Sequence, residues 1–135
     1  MCAVRFAIVG ADASTWNTYD VEEKSYSPAD CKIENFTSDR FNGCESYKHM
    51  AFVCGVNNRA SIYFEDGFKK RGEPTEAALK VFAEKLGRYD VTNPVSDQKR
   101  FPMGYSENMM QGVKTVCTLE FSAERKCMST VVNGY

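Results

Sequence analysis

Apolar and polar residues alternate in several short stretches of the chain, and this period of two predicts β-strands. Near the N-terminus the apolar positions are Val4, Phe6 and Ile8, with small or charged residues between them. A polar segment follows from Asp12 to Asp30, and it contains a possible second short strand at Thr15–Val21. The first part of the chain is therefore predicted to be β-structure.

The block Cys31–Phe64 is the stretch around which the rest of the chain is interpreted. Cys31–Phe36 is predicted to be a strand, followed by a polar turn. Ala51–Val56 and Ala60–Phe64 are predicted to be the two arms of a hairpin. They are joined by residues 57–59, where two asparagines tolerate the left-handed backbone of tight hairpins.

One α-helix is predicted, over about residues 74–86. Pro74 suits the first position of a helix, and Gly87 suits a helix end with a residue in the left-handed backbone conformation. Charged residues of alternating sign recur at every fourth position of this segment: Glu76, Lys80, Glu84 and Arg88. They are predicted to form a solvated stripe, whereas most of the remaining helix surface is apolar and predicted to be buried against the sheet.

No regular pattern covers Asp90–Lys114, which is interpreted either as a long functional loop or as two short strands. The chain then closes with a predicted hairpin, whose strands are Val116–Phe121 and Cys127–Val132. The predicted fold class is α+β: a single domain, 1–135, in which an antiparallel, curled β-sheet packs against one α-helix. A content of nine Phe and seven Tyr supports the β-rich interpretation.

Charge and hydropathy exclude several classes of function. The 17 basic and 18 acidic residues give a formal net charge of −1, which favours neither nucleic acid nor an anionic membrane as a partner. No apolar run approaches the roughly 20 residues of a membrane span. A soluble monomer without a cofactor is expected.

Six cysteines form an even set without metal-like spacing: Cys2, Cys31, Cys44, Cys54, Cys117 and Cys127. A chain with one histidine and no Cys-x-x-Cys motif is not predicted to bind zinc. The cysteines instead predict disulfide bonds of unknown pairing and a secreted protein; reduced thiols in a cytosolic protein are the alternative. In a secreted protein, the sequon at Asn35 is a possible glycosylation site.

Candidate catalytic chemistry is sparse. His49 is the one histidine available for acid–base work, and no nucleophile motif accompanies it. The chain is therefore predicted not to be an enzyme. A small ribonuclease-like hydrolase that uses His49 is one alternative function. A binder of small ligands or carbohydrates, stacking on Trp16, Tyr19 and Tyr26, is another.

Two basic clusters are the candidate surfaces for binding a protein partner. The first lies in the irregular segment, where Lys99 and Arg100 precede Phe101 and Tyr105. The second is the run Lys69, Lys70 and Arg71. Basic and aromatic residues are interleaved in the first cluster, as they are in proteins that bind single-stranded nucleic acids, but the net charge of the chain makes nucleic acid an unexpected partner.

The central block resembles small secreted fungal proteins of the plant-pathogen effector type. The residues that carry this resemblance are Ile33–Thr37, then Cys44, then Phe52-Val53-Cys54. The resemblance covers about a quarter of the chain and is one of layout. It implies a non-enzymatic virulence protein that binds a host protein or is recognised by a host immune receptor.

Overall fold

A computed structural model describes residues 1–9, 14–22, 25–29 and 31–134. The strands are β1 (Arg5–Val9), β2 (Trp16–Asp20), β3 (Ser61–Phe64), β4 (Phe68–Arg71), β5 (Lys114–Leu119) and β6 (Ser129–Asn133). The helices are α1 (Ser38–Asn42), α2 (Glu45–Val56), α3 (Pro74–Gly87) and α4 (Gly104–Met109).

The strands form three separate antiparallel hairpins, β1–β2, β3–β4 and β5–β6, within the described part of the chain. Four helices lie between them in sequence. The predicted α+β domain, with one helix on one curled, disulfide-stabilised sheet, is therefore wrong. The prediction counted the apolar stretches as strands of one sheet. Several of these stretches are helical instead, and the two strands of each described hairpin pair only with each other.

The N-terminal hairpin follows the alternating pattern. Phe6 and Ile8 are buried, and Phe6 is paired in register with Tyr19 of β2. Residues 10–13, between the two strands of this hairpin, and residues 23, 24 and 30, between the hairpin and the central block, lie outside the described residues.

The predicted hairpin at Ala51–Phe64 is instead the second half of α2 followed by β3. The helix begins at Glu45, in a stretch that had been interpreted as a polar turn. Its buried residues Tyr47, Ala51 and Gly55 recur at every fourth position, which is the spacing of one helical face. The apolar run 51–56 is too short for its period to separate a strand from a buried helix.

The predicted strand Cys31–Phe36 reduces to a single β-bridge between Val21 and Ile33. Asn35 has a φ of 56°, so the chain turns there instead of extending. Ile33 and Phe36 are nonetheless both buried. Thr37 then caps α1, since its hydroxyl accepts a hydrogen bond from the backbone N–H of Arg40 at 3.3 Å.

Helix α3 occurs where it is predicted, with Pro74 in its first turn, but the two middle residues of its charged stripe are not solvated. Lys80 is 8% exposed and Glu84 is fully buried. The Lys80 ammonium donates to the carbonyl of Gly55 in α2. Burial lowers the pKa of Lys80 and raises the pKa of Glu84, because the charged form of each loses hydration.

Helix α4 lies inside the segment that had been interpreted as a loop or as two strands. Glu84 accepts hydrogen bonds from the backbone N–H groups of Tyr105 at 3.0 Å and Ser106 at 2.9 Å, and from the Ser106 hydroxyl at 2.6 Å. These donors lie in the first turn of α4, where backbone N–H groups lack helical partners. The buried carboxylate therefore anchors α4 to α3.

The main core is built from the N-terminal hairpin, α1, α2 and α3, and it is rich in aromatic rings. The ring of Phe36 packs edge-on against Phe6, Tyr19, Tyr47 and Tyr89 at centroid distances of 5.0–5.8 Å. A smaller cluster of Ala60, Ile62, Ala77 and Val81 joins β3 to α3. No side chain of β5 or β6 belongs to either cluster.

Replacing Gly87 with alanine is expected to lower the free energy of unfolding by about 3 kcal/mol, since overpacking a dense core costs about 1–3 kcal/mol and occasionally more. A Cβ atom at this position would lie 2.1 Å from Cγ of Tyr105. Urea unfolding measures the change. Gly112→Ala is the control for backbone strain without overpacking: its φ of 83° costs an alanine about 1–2 kcal/mol, and no neighbour lies within 4 Å of the added atom. Equal losses in the two variants would contradict this packing.

Candidate functional site

Three segments meet at the start of α3: the α2–β3 loop (57–60), the first turn of α3 and the β5–β6 turn (120–128). Asn58 joins the first two of them. Its amide nitrogen Nδ2 donates to the carbonyls of Cys54 at 3.0 Å and Glu76 at 2.6 Å. Its Oδ1 accepts from the N–H of Ala60 at 2.8 Å. One side chain thus fixes the end of α2, the start of β3 and the first turn of α3.

The neighbouring Asn57 attaches the C-terminal hairpin, β5–β6, to the end of α2. Its Nδ2 donates to the carbonyl of Met128 at 3.1 Å, and its Oδ1 accepts from the Thr130 hydroxyl at 2.8 Å. A cavity of about 240 Å³ separates part of α2 from β6, with Phe52, Val56 and Val132 among its lining residues. The hairpin is therefore held to α2 largely by polar contacts.

Arg125 organises the turn at the tip of this hairpin. Its guanidinium donates to the carbonyls of Leu119 at 3.0 Å, Glu120 at 2.6 Å and Cys127 at 3.2 Å. The N–H of Lys126 donates to the carbonyl of Ser122 at 2.8 Å, and Lys126 has a φ of 56°. The turn consequently has a defined backbone although all of its charged side chains are exposed.

Phe121, at the base of this turn, is 63% exposed. The residue before it, Glu120, forms an ion pair with Arg59 of the α2–β3 loop. This pair brings the guanidinium of Arg59 to the residue that precedes Phe121 in the β5–β6 turn. The turn thus carries an exposed aromatic ring, with Arg59 paired to the adjacent residue and Lys126 five positions further along the turn.

A ring and nearby cations of this kind suit a ligand that has a flat aromatic part and an anionic part. Aromatic side chains stack on nucleic-acid bases without regard to sequence. Arginine and lysine form strong, charge-assisted hydrogen bonds with phosphate oxygens. Arg59 is exposed and paired at the surface, so a phosphate can replace Glu120 as its partner at small cost.

The predicted contact residues Lys99, Arg100 and Phe101 lie together in another place, beside β3. Lys99 Nζ is 5.7 Å from the ring centroid of Phe64, and Arg100 Cζ is 5.2 Å from that of Phe101. Tyr105 does not share this surface: it is 1% exposed, and its hydroxyl donates to Asp90 at 3.0 Å.

The second predicted cluster lies on β4. Lys69 forms an ion pair with Glu65 at 3.1 Å, and the Lys70 ammonium donates to the carbonyl of Gly72 at 2.8 Å. Arg71 is exposed and pairs in register with Ser61. Since β3 and β4 are adjacent, this cluster neighbours the strand that carries Phe64.

No disulfide bond joins the six cysteines, all of which lie in the part of the chain that the structure describes: Cys2, Cys31, Cys44, Cys54, Cys117 and Cys127. The predicted disulfides are therefore absent. Cys44 is the residue before α2, and Cys54 is largely buried at the end of that helix, where loss of hydration raises its pKa to about 11. Asn35 is exposed, but its predicted glycosylation depended on secretion.

The aromatic residues suggested as a ligand platform do not share a surface. Trp16 is 68% exposed, Tyr19 is buried with its hydroxyl 2.9 Å from that of Tyr47, and Tyr26 packs against the smaller core cluster.

His49 lies on the exposed side of α2. Within residues 1–9, 14–22, 25–29 and 31–134, no group of three or more His, Cys, Asp or Glu residues is placed to hold a metal ion. No helix of that part is long and apolar enough to cross a bilayer.

Residues 46–134 match the family described as "P-type ATPase, cytoplasmic domain N". This match covers most of the chain, and the chain therefore belongs to that family.

Two relatives from Arabidopsis thaliana are similar along nearly the whole chain. Calcium-transporting ATPase 2, endoplasmic reticulum-type, is 29% identical over 143 residues, which cover 98% of this chain and 13% of the relative. Calcium-transporting ATPase 4, endoplasmic reticulum-type, is 30% identical over 147 residues, which cover 99% of this chain and 12% of the relative. The chain thus spans only about an eighth of the length of these relatives.

The family overturns several predictions. A secreted, non-enzymatic effector that binds a host protein is wrong, because the chain belongs to a cytoplasmic domain of ATPases, which are enzymes. The ribonuclease-like hydrolase is wrong for the same reason. The resemblance to fungal effectors depends on Cys31–Phe64 being a strand and a hairpin with cysteines, whereas half of that block is helical.

Sequence reasoning missed Phe121 because it was counted as the last residue of the predicted strand Val116–Phe121 and was not considered as a binding residue. The available signal was the charged turn Glu124-Arg125-Lys126, which begins three positions after it. Asn58 and Arg59 were placed in the predicted hairpin turn, and nothing in their spacing singled them out as binding residues.

Replacing Asn58 with alanine is expected to lower the free energy of unfolding by about 1–3 kcal/mol, because part-buried carbonyls of Cys54 and Glu76 would lose their donor. Thermal or urea unfolding measures the loss. Asn108→Ala is the control, since the Asn108 side chain accepts only an exposed hydrogen bond from Gln111 among those described. A variant at Asn58 as stable as the control would show that the three segments are held together by other contacts.

Proposed function

We propose that the chain is the nucleotide-binding part of a longer cation-transporting P-type ATPase, and that Phe121 stacks on the base of ATP. The family and the names of the two relatives support ATP as the ligand and calcium as the transported ion of the longer protein. The observation that carries the proposal is the exposed ring of Phe121, which follows Glu120 in sequence, together with the ion pair that joins Glu120 to Arg59.

The roles of the residues follow from their chemistry. The ring of Phe121 supplies stacking area for the base. Arg59 and Lys126 supply positive charge for the phosphates, and the hydrogen bonds of Arg125 to three carbonyls fix the turn beforehand. These groups bind and orient a nucleotide. None of these four side chains is suited to act as a general base at neutral pH, so hydrolysis is assigned to parts of the longer protein outside this site.

Phe121→Ala is expected to weaken ATP binding about tenfold, because stacking on an aromatic side chain contributes about 1–3 kcal/mol per base. Titration calorimetry with ATP measures the change in Kd. Phe101→Ala is the matched control, since Phe101 is also an exposed ring, at 44%, beside an arginine. Equal weakening in both variants, or none at Phe121, would reject the site.

A comparison of ATP with adenosine distinguishes the residue that contacts the base from the residues that contact the phosphates. Lys126→Ala is expected to weaken binding of ATP but to leave adenosine binding unchanged, whereas Phe121→Ala weakens both. Urea unfolding of each variant shows that the fold is intact, as expected for exposed side chains. Loss of adenosine binding in Lys126→Ala would contradict the assignment of this lysine to the phosphates.

A further inference from the structure

A second surface, which the nucleotide proposal does not use, is a groove beside β3. We call it the β3 groove: it is bordered by Tyr63 and Phe64 on one side and by Lys99, Arg100 and Phe101 on the other, and its volume is about 300 Å³. The three rings are 39%, 41% and 44% exposed, respectively. A groove that leaves three large rings open to solvent is a candidate site for binding a partner.

The backbone beneath the two cations is already fixed. Asp97 accepts hydrogen bonds through Oδ1 from the N–H groups of Lys99 at 3.0 Å and Arg100 at 3.1 Å. Its carbonyl accepts from the N–H of Phe101 at 2.9 Å. The other wall is also fixed, because the N–H of Ile62 donates to the sulfur of Met103 at 3.3 Å. A pre-organised groove loses little conformational entropy when a ligand binds.

The charge around the groove is positive although the whole chain carries −1. Lys99 and Arg100 border it, and Lys69 and Lys70 lie opposite Tyr63 and Ile62 on β4. Glu65 offsets Lys69, and Asp97, whose carboxylate lies against the N–H groups of Lys99 and Arg100, offsets one more basic charge. Among the described residues that line the groove, Lys99 and Arg100 are basic and Glu107 is acidic, so the lining keeps one positive charge, which favours an acidic ligand.

The arrangement of the cations distinguishes an extended ligand from a compact one. Lys99 and Arg100 lie over two different rings, Phe64 and Phe101, instead of converging on one point. A phosphate group requires donors that converge, whereas carboxylates spaced along a peptide match separated cations. The exposed rings between them suit an apolar side chain of the same peptide.

We propose that the β3 groove binds an extended acidic peptide segment of a partner protein, with one aromatic side chain of that segment placed against Phe64 and Phe101. Carboxylates on either side of the aromatic residue pair with Lys99 and Arg100. This proposal does not depend on nucleotide binding at Phe121, since the two sites use different residues.

The test uses a fluorescent peptide of glutamates with one central phenylalanine, and fluorescence anisotropy measures its Kd. The double variant Lys99→Glu/Arg100→Glu is expected to weaken binding at least tenfold, because each reversal replaces an attraction with a repulsion. Lys32→Glu/Lys114→Glu is the matched control. It changes net charge equally at two exposed lysines away from the groove and is expected to change Kd less than twofold.

Two further measurements make the outcome decisive. A peptide with alanine in place of phenylalanine is expected to bind at least fivefold more weakly, and Phe101→Ala is expected to remove that difference. ATP affinity is expected to be unchanged in Lys99→Glu/Arg100→Glu. Equal losses in the two double variants, equal binding of the two peptides, or displacement of the peptide by ATP would overturn the proposal.

Discussion

The buried carboxylate of Glu84 is the contact on which the arrangement of the helices depends. It satisfies three donors at the start of α4, while Lys80, one turn earlier on α3, donates to the end of α2. Removing such a group would leave buried donors without partners, which costs more than the hydrogen bonds contribute. Helix α3 is thus a polar connector as well as an apolar core element, and both candidate sites lie at its borders.

The close contact between Gly87 and Tyr105 belongs to the same arrangement. The ring of Tyr105 occupies the space that a side chain at position 87 would need, and its hydroxyl reaches Asp90. This contact fixes the direction in which the chain enters α4. The segment before α4 carries Lys99 and Arg100. The buried contact of Tyr105 with Gly87 therefore also helps to position the wall of the β3 groove that these two residues form.

Some elements of the fold could be predicted from the sequence, and others could not, for physical reasons that the structure makes clear. Strand β1 and helix α3 were found close to their observed bounds, although Gly87 lies inside the helix and is not the left-handed stop that was predicted. Helix α2 was mistaken for a hairpin arm because half of it is polar. The charges of Lys80 and Glu84 gave the usual pattern of a solvated face, and only tertiary partners distant in sequence explain their burial.

Less of the candidate site than of the secondary structure could be predicted from the sequence. Phe121 and Arg59 are 62 positions apart, and what joins them is an ion pair from Glu120 together with the side chains of two adjacent asparagines. No periodic pattern encodes contacts of that kind. The basic residues at 99 and 100 were noticed because they are adjacent in sequence, which is the arrangement that sequence reasoning detects best.

The β5–β6 hairpin is attached to the rest of the molecule mainly by polar contacts, and this affects which part of the molecule unfolds locally first. Neither strand contributes to the buried clusters, and a cavity lies beneath β6. Two strands without a core of their own are marginally stable, so this hairpin is expected to open locally before the helices do. A ligand held between Arg59 and Phe121 would bridge the mobile hairpin and the rigid α2–β3 loop. Occupancy of the site would then be reported by slower amide exchange in β5 and β6.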